Sequence, residues 1–167
     1  MSDDGFREFV VAATPALFRS AYLLTGDHQL AEDLLQSALA NTYRHWRRIK
    51  DGNPRAYVRR TMIHEHTSWW RRGRVPEHLS AEPPPGRADD PADRTALRLS
   101  VDRALARLAP RQRAVIVLRY YEDLTEAETA RALGCTVGTV KRLGHDALAR
   151  LRELAPHLLA EAKEVRA

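Results

Sequence analysis

Two groups of side chains in this sequence are suited by type and spacing to chemistry with a polyanion. The first runs along residues 54–72, where Tyr57, Arg59, Arg60, His64, Trp69, Trp70, Arg71 and Arg72 interleave flat rings with cations. Cations neutralise phosphates, and each base stacked on an aromatic face contributes about 1–3 kcal/mol, which requires that the base be unpaired. Such a segment suits single-stranded or melting DNA better than a closed duplex. The plainer reading, with Tyr57 and one tryptophan in the core and the arginines solvated, is expected to hold for some of these residues.

The second group lies at 125–148, TEAETARALGCTVGTVKRLGHDAL, and has helix-turn-helix spacing. Ala130 is small where two helices would cross closely, and Gly134, four residues later, suits a turn that needs positive φ. Val137 and Val140 are expected to bury one face of the second helix. Thr125 with Glu128 forms a capping box for the first helix, and Thr136 can cap the second. Gly138, Thr139, Lys141 and Arg142 then fall on the open face near the helix start, where a groove-reading helix makes its contacts. An ordinary helical hairpin would share the apolar spacing. The exposed cations and the separate basic segment upstream favour DNA.

Other chemistry finds little support. His64 and His66 are two residues apart, so a helix points them to different sides, and no cysteine partner is nearby. No glycine-rich phosphate loop, G-x-S-x-G elbow or H-E-x-x-H run is present. The expectation is therefore no catalytic residue, no metal, no cofactor and no small-molecule substrate. The carboxylates Asp33, Glu122 and Asp123 read as solvated surface groups.

Positioning these groups requires helices. In the N-terminal part, Phe6, Phe9, Val10, Leu17, Tyr22 and Leu23 define a helix over about 4–24, with Pro15 a kink or break, ended by Thr25-Gly26-Asp27. Leu30, Leu34, Ala38, Tyr43 and Trp46 form one stripe on a second helix, about 29–50. Asn53 as N-cap and Pro54 at the first position start a third, to about Arg72. The C-terminal part reads as four helices at about 95–108, 111–121, 125–133 and 136–155, with a possible helical tail to Val165. Pro110 marks a start, and Val115, Ile116, Leu118 and Tyr121 face a core.

Between them, VPEHLSAEPPPGRADDPADRT (75–95) is rich in proline and lacks apolar periodicity, which is a linker composition. About 22 extended residues reach about 70 Å. With the two compact domains this just bridges DNA elements about 25 base pairs, or roughly 85 Å, apart. The expected boundaries are 1–74, a linker at 75–95, 96–160 and a tail at 161–167, an all-α chain of two small domains.

The overall charge of +5 on 167 residues conceals a pattern. Residues 1–40 carry −4, 41–75 carry +8, 76–95 carry −3 and 96–167 carry +4. A polyanion thus has two landing zones separated by a segment that would repel it, and the interleaved tryptophans favour nucleic acid over an anionic membrane. The single cysteine, Cys135, excludes an internal disulfide framework and reads as a half-buried filler in a reducing cytosol. No run approaches the roughly 18 apolar residues of a membrane span, and the acidic start MSDDGF does not resemble a signal peptide, so a cytoplasmic location is expected.

Three segments, AEDLLQSALANTYRHW (31–46), NPRAYVRRTMI (53–63) and WWRR (69–72), resemble region 2 of extracytoplasmic-function sigma factors. LAPRQRAVIVLRYYEDLTEAETARALGCTVGTVK (108–141), with ALARLR (147–152), resembles their region 4. The WW pair with ALARLR is most similar to the sigma-E-like actinobacterial subgroup. The resemblance implies a non-enzymatic initiation factor that gives RNA polymerase core its promoter specificity, for a stress or envelope-response regulon. It implies docking on the β′ clamp helices through Asp33, Leu34, Gln36, Leu39 and Trp46. Recognition and melting of the −10 element would fall to Asn53, Tyr57, Arg59, Arg60, His64, Trp69, Trp70, Arg71 and Arg72. Region 4 would bind the β flap and read the −35 element through Thr136, Gly138, Thr139, Lys141, Arg142 and His145. The partners are then polymerase core and promoter DNA, with room for an anti-sigma factor and no membrane.

The chain departs from the family pattern VGTVKSRLARALARLR. Gly144 stands for a core leucine, with Leu143 placed to supply the contact, and Asp146 stands where a cation is common. His64-Glu65-His66 replaces an Asn-rich segment, and Ser37 a frequent Glu. Two rivals are a helix-turn-helix regulator that works without polymerase and a sigma-like decoy. The segment 29–50 discriminates, because a plain repressor has no use for a polymerase-docking helix.

Overall fold

The computed structural model describes residues 4–73 and 92–158, and among these every regular element is helical. Helix α1 (Asp4–Thr25) runs unbroken through Pro15. The proline sits on the outer side of the helix with Val11, which is 73% exposed, so the turn that loses an amide donor faces solvent. Gly26, at φ 68°, then reverses the chain, and Asp27 caps α2 (His28–Arg44) by accepting the Leu30 amide at 2.8 Å.

The helix expected over 29–50 is two helices. It breaks at His45, whose amide turns back to Thr42 and whose Nδ1 lies 3.0 Å from the Asn41 carbonyl. The short α3 (Trp46–Ile49) starts there, and the break swings Trp46 against Phe6 and Phe9, at ring distances of 5.2 and 5.3 Å. Tyr43, read as part of the buried stripe, is half exposed on the rim of this cluster. Asn53 and Pro54 start α4 (Pro54–Arg71) as expected, with Asn53 accepting the Ala56 amide at 3.0 Å.

Helix α5 (Ala92–Ala106) begins inside the segment read as linker, and residues 75–91 of that segment lie outside the described residues. Pro110 opens α6 (Pro110–Ile116), which widens into a π-helical turn over Val117–Tyr121 before α7 (Glu126–Leu133) and α8 (Val137–Leu154). The wider turn, closed by the Glu122 amide on the Val117 carbonyl at 2.9 Å, shifts the register. Val117 is therefore buried beside Val115, Ile116 and Leu118, while Tyr121 is turned out, 48% exposed, against the expectation that it faces the core. One further turn follows over 156–158, and the rest of the expected tail lies outside the described residues.

Two apolar clusters result. One joins α1, α2 and α4 through Leu17, Leu34, Ala38, Val58 and Met62. The other gathers Leu108, Val115, Leu118, Leu133, Val140 and Leu143 from the C-terminal helices, and it also takes Leu23 and Leu24 from the end of α1. Burying each such side chain contributes roughly 1.5–3 kcal/mol. The two helical units are thus packed together. Arg19 donates to both carboxylate oxygens of Asp102 at 2.6 and 2.8 Å, and the Ser20 hydroxyl donates to Glu122 at 2.6 Å.

Candidate nucleic-acid interface

The helix-turn-helix forms from its local signals. Thr125 accepts the Glu128 amide at 3.1 Å and Glu128 accepts the Thr125 amide at 2.7 Å, a closed capping box at the start of α7. That backbone hydrogen bond, helped by the threonine hydroxyl, holds the Glu128 carboxyl below the usual range. Gly134, left-handed at φ 64°, ends α7, and the Cys135 amide returns to Ala130 at 3.0 Å. Thr136 caps α8 by accepting the Thr139 amide at 3.1 Å. Ala130, Leu133, Val140 and Leu143 close the pair, and half-buried Cys135 packs beside them. Val137 does not join them. It is 39% exposed, beside the exposed Thr136 and Gly138 at the start of α8.

This geometry leaves Thr136, Gly138, Lys141, Arg142 and His145 exposed, with Thr139 half-buried between them. Lys141 Nζ lies 3.8 Å from Glu126, and both side chains are well exposed, so this pair is weak and a phosphate could displace it. Asp146 is exposed one position beyond His145. Gly144 faces Val115, and Leu143 is buried, supplying the apolar contact where the leucine pattern shifts.

Helix α4 presents three faces. Val58 and Met62 point into the N-terminal core, with Trp69 packed against the same cluster. Tyr57, Arg60, His64 and Arg71 follow each other at helical spacing along a second face. Of these, Arg60, His64 and Arg71 are exposed and Tyr57 is half-buried, its ring 6.4 Å from that of His45. Asn53 is exposed at the helix start, and Arg72 is exposed at its end, donating to the Ser68 hydroxyl at 3.2 and 2.6 Å. The third face meets the C-terminal unit. There Arg59 approaches Glu122 at 3.4 Å and Ile63 and Trp70 pack into the C-terminal core, while the Arg71 guanidinium reaches across from the second face to lie over Gly134. Glu122 is therefore no solvated carboxylate: its side chain is 7% exposed and holds Ser20 and Arg59.

Between these faces lies His66, buried, with the rings of Trp70 and Trp69 at 4.8 and 6.4 Å. Burial, reinforced by the Arg113 charge, pushes this imidazole down to about 3. Its Nε2 and Trp70 Nε1 are buried without a hydrogen-bond partner. Arg113 is itself buried at the junction, donating to the carbonyls of Leu24 at 3.0 Å and Thr25 at 2.9 Å. Burial lowers its guanidinium to about 10, so it stays charged at neutral pH.

Of the residues expected to dock on polymerase, Asp33 and Gln36 are exposed and Leu39 is half-buried beside Phe6, Val10, Ala40 and Tyr43 in a shallow apolar groove. Leu34 and Trp46 are buried in the packing of the free chain. Sequence reasoning did not single out Arg113, Arg19 or Asp102. The one available signal was Arg113, a cation immediately before the buried run Ala114–Leu118.

Among the described residues no group of three His, Cys, Asp or Glu side chains is placed to hold a metal ion, and no helix is long and apolar enough to cross a membrane.

Residues 9–75 match the family described as Sigma-70 region 2, and residues 98–151 match Sigma-70, region 4. The RNA polymerase sigma-E factor of Streptomyces coelicolor is 46% identical over 149 residues, which cover 89% of this chain and 84% of that protein. The chain belongs to the ECF sigma factors. The ECF RNA polymerase sigma factor SigL of Mycobacterium tuberculosis is 35% identical, with 81% and 80% of the two chains covered. The fold is similar to that of the sigma factor RpoE in its complex with the anti-sigma factor NepR from Bartonella quintana. There the TM-score is 0.65 at 26% identity, over 91% of this chain and 97% of that one. As a sigma factor the chain catalyses no reaction itself. It directs RNA polymerase to promoters, with α1–α4 as region 2 and α5–α8 as region 4.

Proposed function

We propose that this sigma factor grips a promoter at two points, in the cytoplasm, with the residue roles that follow. Region 4 reads the −35 major groove through Gly138, Thr139, Lys141, Arg142 and His145, with Thr136 fixing the start of α8. The observation that carries this is the exposed cationic stripe on the first two turns of a helix whose opposite side is packed by Val140 and Leu143. Region 2 captures the unpaired −10 strand on α4. Tyr57, Arg60 and His64 form the face that is already open, with Asn53 and Arg72 at its two ends, and Arg59, Trp69, Trp70 and Arg71 complete it. Asp33, Gln36 and Leu39 dock on polymerase core, while Leu34 and Trp46 shape that surface from beneath. An anti-sigma factor is a further partner, supported by the likeness to a sigma factor captured in such a complex. The domain limits follow the helices, with region 4 starting at Ala92 and the linker preceding it.

Footprinting of the reconstituted holoenzyme on promoters selected from random DNA tests the two-point grip. The expected result is two protected blocks, with permanganate-reactive thymines in the downstream one. A single upstream block without reactive thymines would contradict it.

A further inference from the structure

The helix-turn-helix carries no net charge. Residues 125–148 hold three cations, Arg131, Lys141 and Arg142, and three carboxylates, Glu126, Glu128 and Asp146. Non-specific binding to duplex DNA comes from cations meeting phosphates, so a carboxylate in such a unit weakens it. Glu128 has a structural role, since it closes the capping box by accepting the Thr125 amide at 2.7 Å. Asp146 is exposed one position beyond His145. Glu126, in the same first turn of α7 as Glu128, instead meets a cation of the reading stripe, with Lys141 Nζ at 3.8 Å.

The packing fixes where this pair stands. Val140, next to Lys141, is buried in one cluster with Ala130 and Leu133 of α7, and the Cys135 amide closes the turn on the Ala130 carbonyl. When a helix-turn-helix docks on duplex, the first helix crosses the backbone and the second enters the groove. Glu126 then stands on the backbone side of Lys141. An ammonium has three donors; the one turned to Glu126 is occupied, and the others remain for acceptors at the base edges. A phosphate that drew Lys141 away would lie beside the released carboxylate, like charge against like charge. Both side chains are well exposed, so the pair adds little to stability, and its effect is on where the lysine goes.

We propose that Glu126 is a specificity-determining residue for the −35 element, acting through Lys141. It withholds the ammonium from backbone phosphates, which every duplex offers, and leaves it to acceptors in the groove, which only the right sequence offers. Glu126 is a positioning residue and touches no base itself. The inference rests on the reading of α8 as the groove-reading helix.

The test uses the full chain, in which the stripe of α8 is exposed, and two fluorescent duplexes titrated at several salt concentrations. One carries the −35 half of a promoter selected by the holoenzyme, and the other is a scrambled duplex. Glu126→Gln should raise affinity for the scrambled duplex by about fivefold, with the slope of log affinity against log salt steeper by about 1. Affinity for the selected duplex should stay level or fall by up to about threefold, so discrimination drops by about fivefold or more. In a Lys141→Ala background the same substitution should change scrambled-duplex affinity by less than about twofold, because the two residues act as one unit. A carboxylate in the first turn also suits the helix dipole, but loss of that role alone would shift melting and leave discrimination as it was. Unchanged discrimination in Glu126→Gln would therefore overturn the proposal. A gain on scrambled duplex that persists without Lys141 would overturn it too, as repulsion of phosphates by the carboxylate alone. A parent chain that does not distinguish the two duplexes would overturn the −35 reading and this inference with it.

Discussion

The Arg113 guanidinium donates to the Leu24 carbonyl at 3.0 Å, tying region 4 to the last turn of the first helix of region 2. Helix ends leave carbonyls without intrahelical donors, and here a buried side chain from another unit serves two of them. Arg113→Met keeps the volume and removes the donors. It should lower the unfolding free energy of the full chain by about 1–3 kcal/mol, the cost of leaving buried acceptors unpaired. Urea denaturation measures this, and an unchanged midpoint would mean that the two units do not rely on one another.

His66 makes stability depend on pH. Folded, its imidazole titrates near 3, against 6.5 in the unfolded chain, so between those values the unfolded state binds more protons. Stability should therefore be level above about pH 7 and fall with acidification, by roughly 1–2 kcal/mol down to about pH 5 from this group. His66→Gln, which cannot take up the proton, should flatten that limb. An identical pH profile for the variant would contradict the assignment.

Gly144 is an unfilled position in α8. An added β-carbon would meet Val115 Cγ1 at 3.5 Å, an ordinary contact. Gly144→Ala should stabilise region 4 by about 0.5–1 kcal/mol through helix propensity alone. Gly144→Leu should overpack against Val115, with a cost of about 1–3 kcal/mol. Thermal melts of the two variants should move in opposite directions.

Lys141 and Trp70 separate duplex reading from strand capture. Lys141→Ala should weaken binding to closed promoter duplex and reduce the slope of log affinity against log salt by about 1. Trp70→Ala should leave duplex binding intact and reduce binding to a fork junction by about 1–3 kcal/mol. Equal effects of both variants on both templates would refute the division of labour.

Much of this was legible in the sequence because the signals are local. The capping box at Thr125 and Glu128, the left-handed Gly134 and the Asn53-Pro54 start each depend on residues a few positions apart, and each formed as expected. The misses came from contacts across the chain. Trp46 satisfies a helical stripe equally well in one long helix or after a break, and only Phe6 and Phe9, distant in sequence, decide for the break. Tyr121 and Val137 obey the apolar period yet lie outside the core, Tyr121 because a π turn shifts the register and Val137 on the exposed first turn of α8. Glu122 looks like a surface carboxylate until Ser20 and Arg59 are brought to it. For the candidate site, the exposed stripe of α8 followed from periodicity, whereas the covering of Trp70 and Arg59 by region 4 required the packing of the two units.

Run-off transcription measures most directly whether this chain makes RNA polymerase promoter-specific. Purified core polymerase, with and without the protein, is supplied with a promoter selected by the holoenzyme and with a scrambled control. The predicted result is a discrete transcript from the selected promoter only when the protein is present, lost with Lys141→Ala and recovered on a template already melted at the −10 position. Binding to core without any promoter-dependent transcript would contradict it and identify a sigma-like decoy.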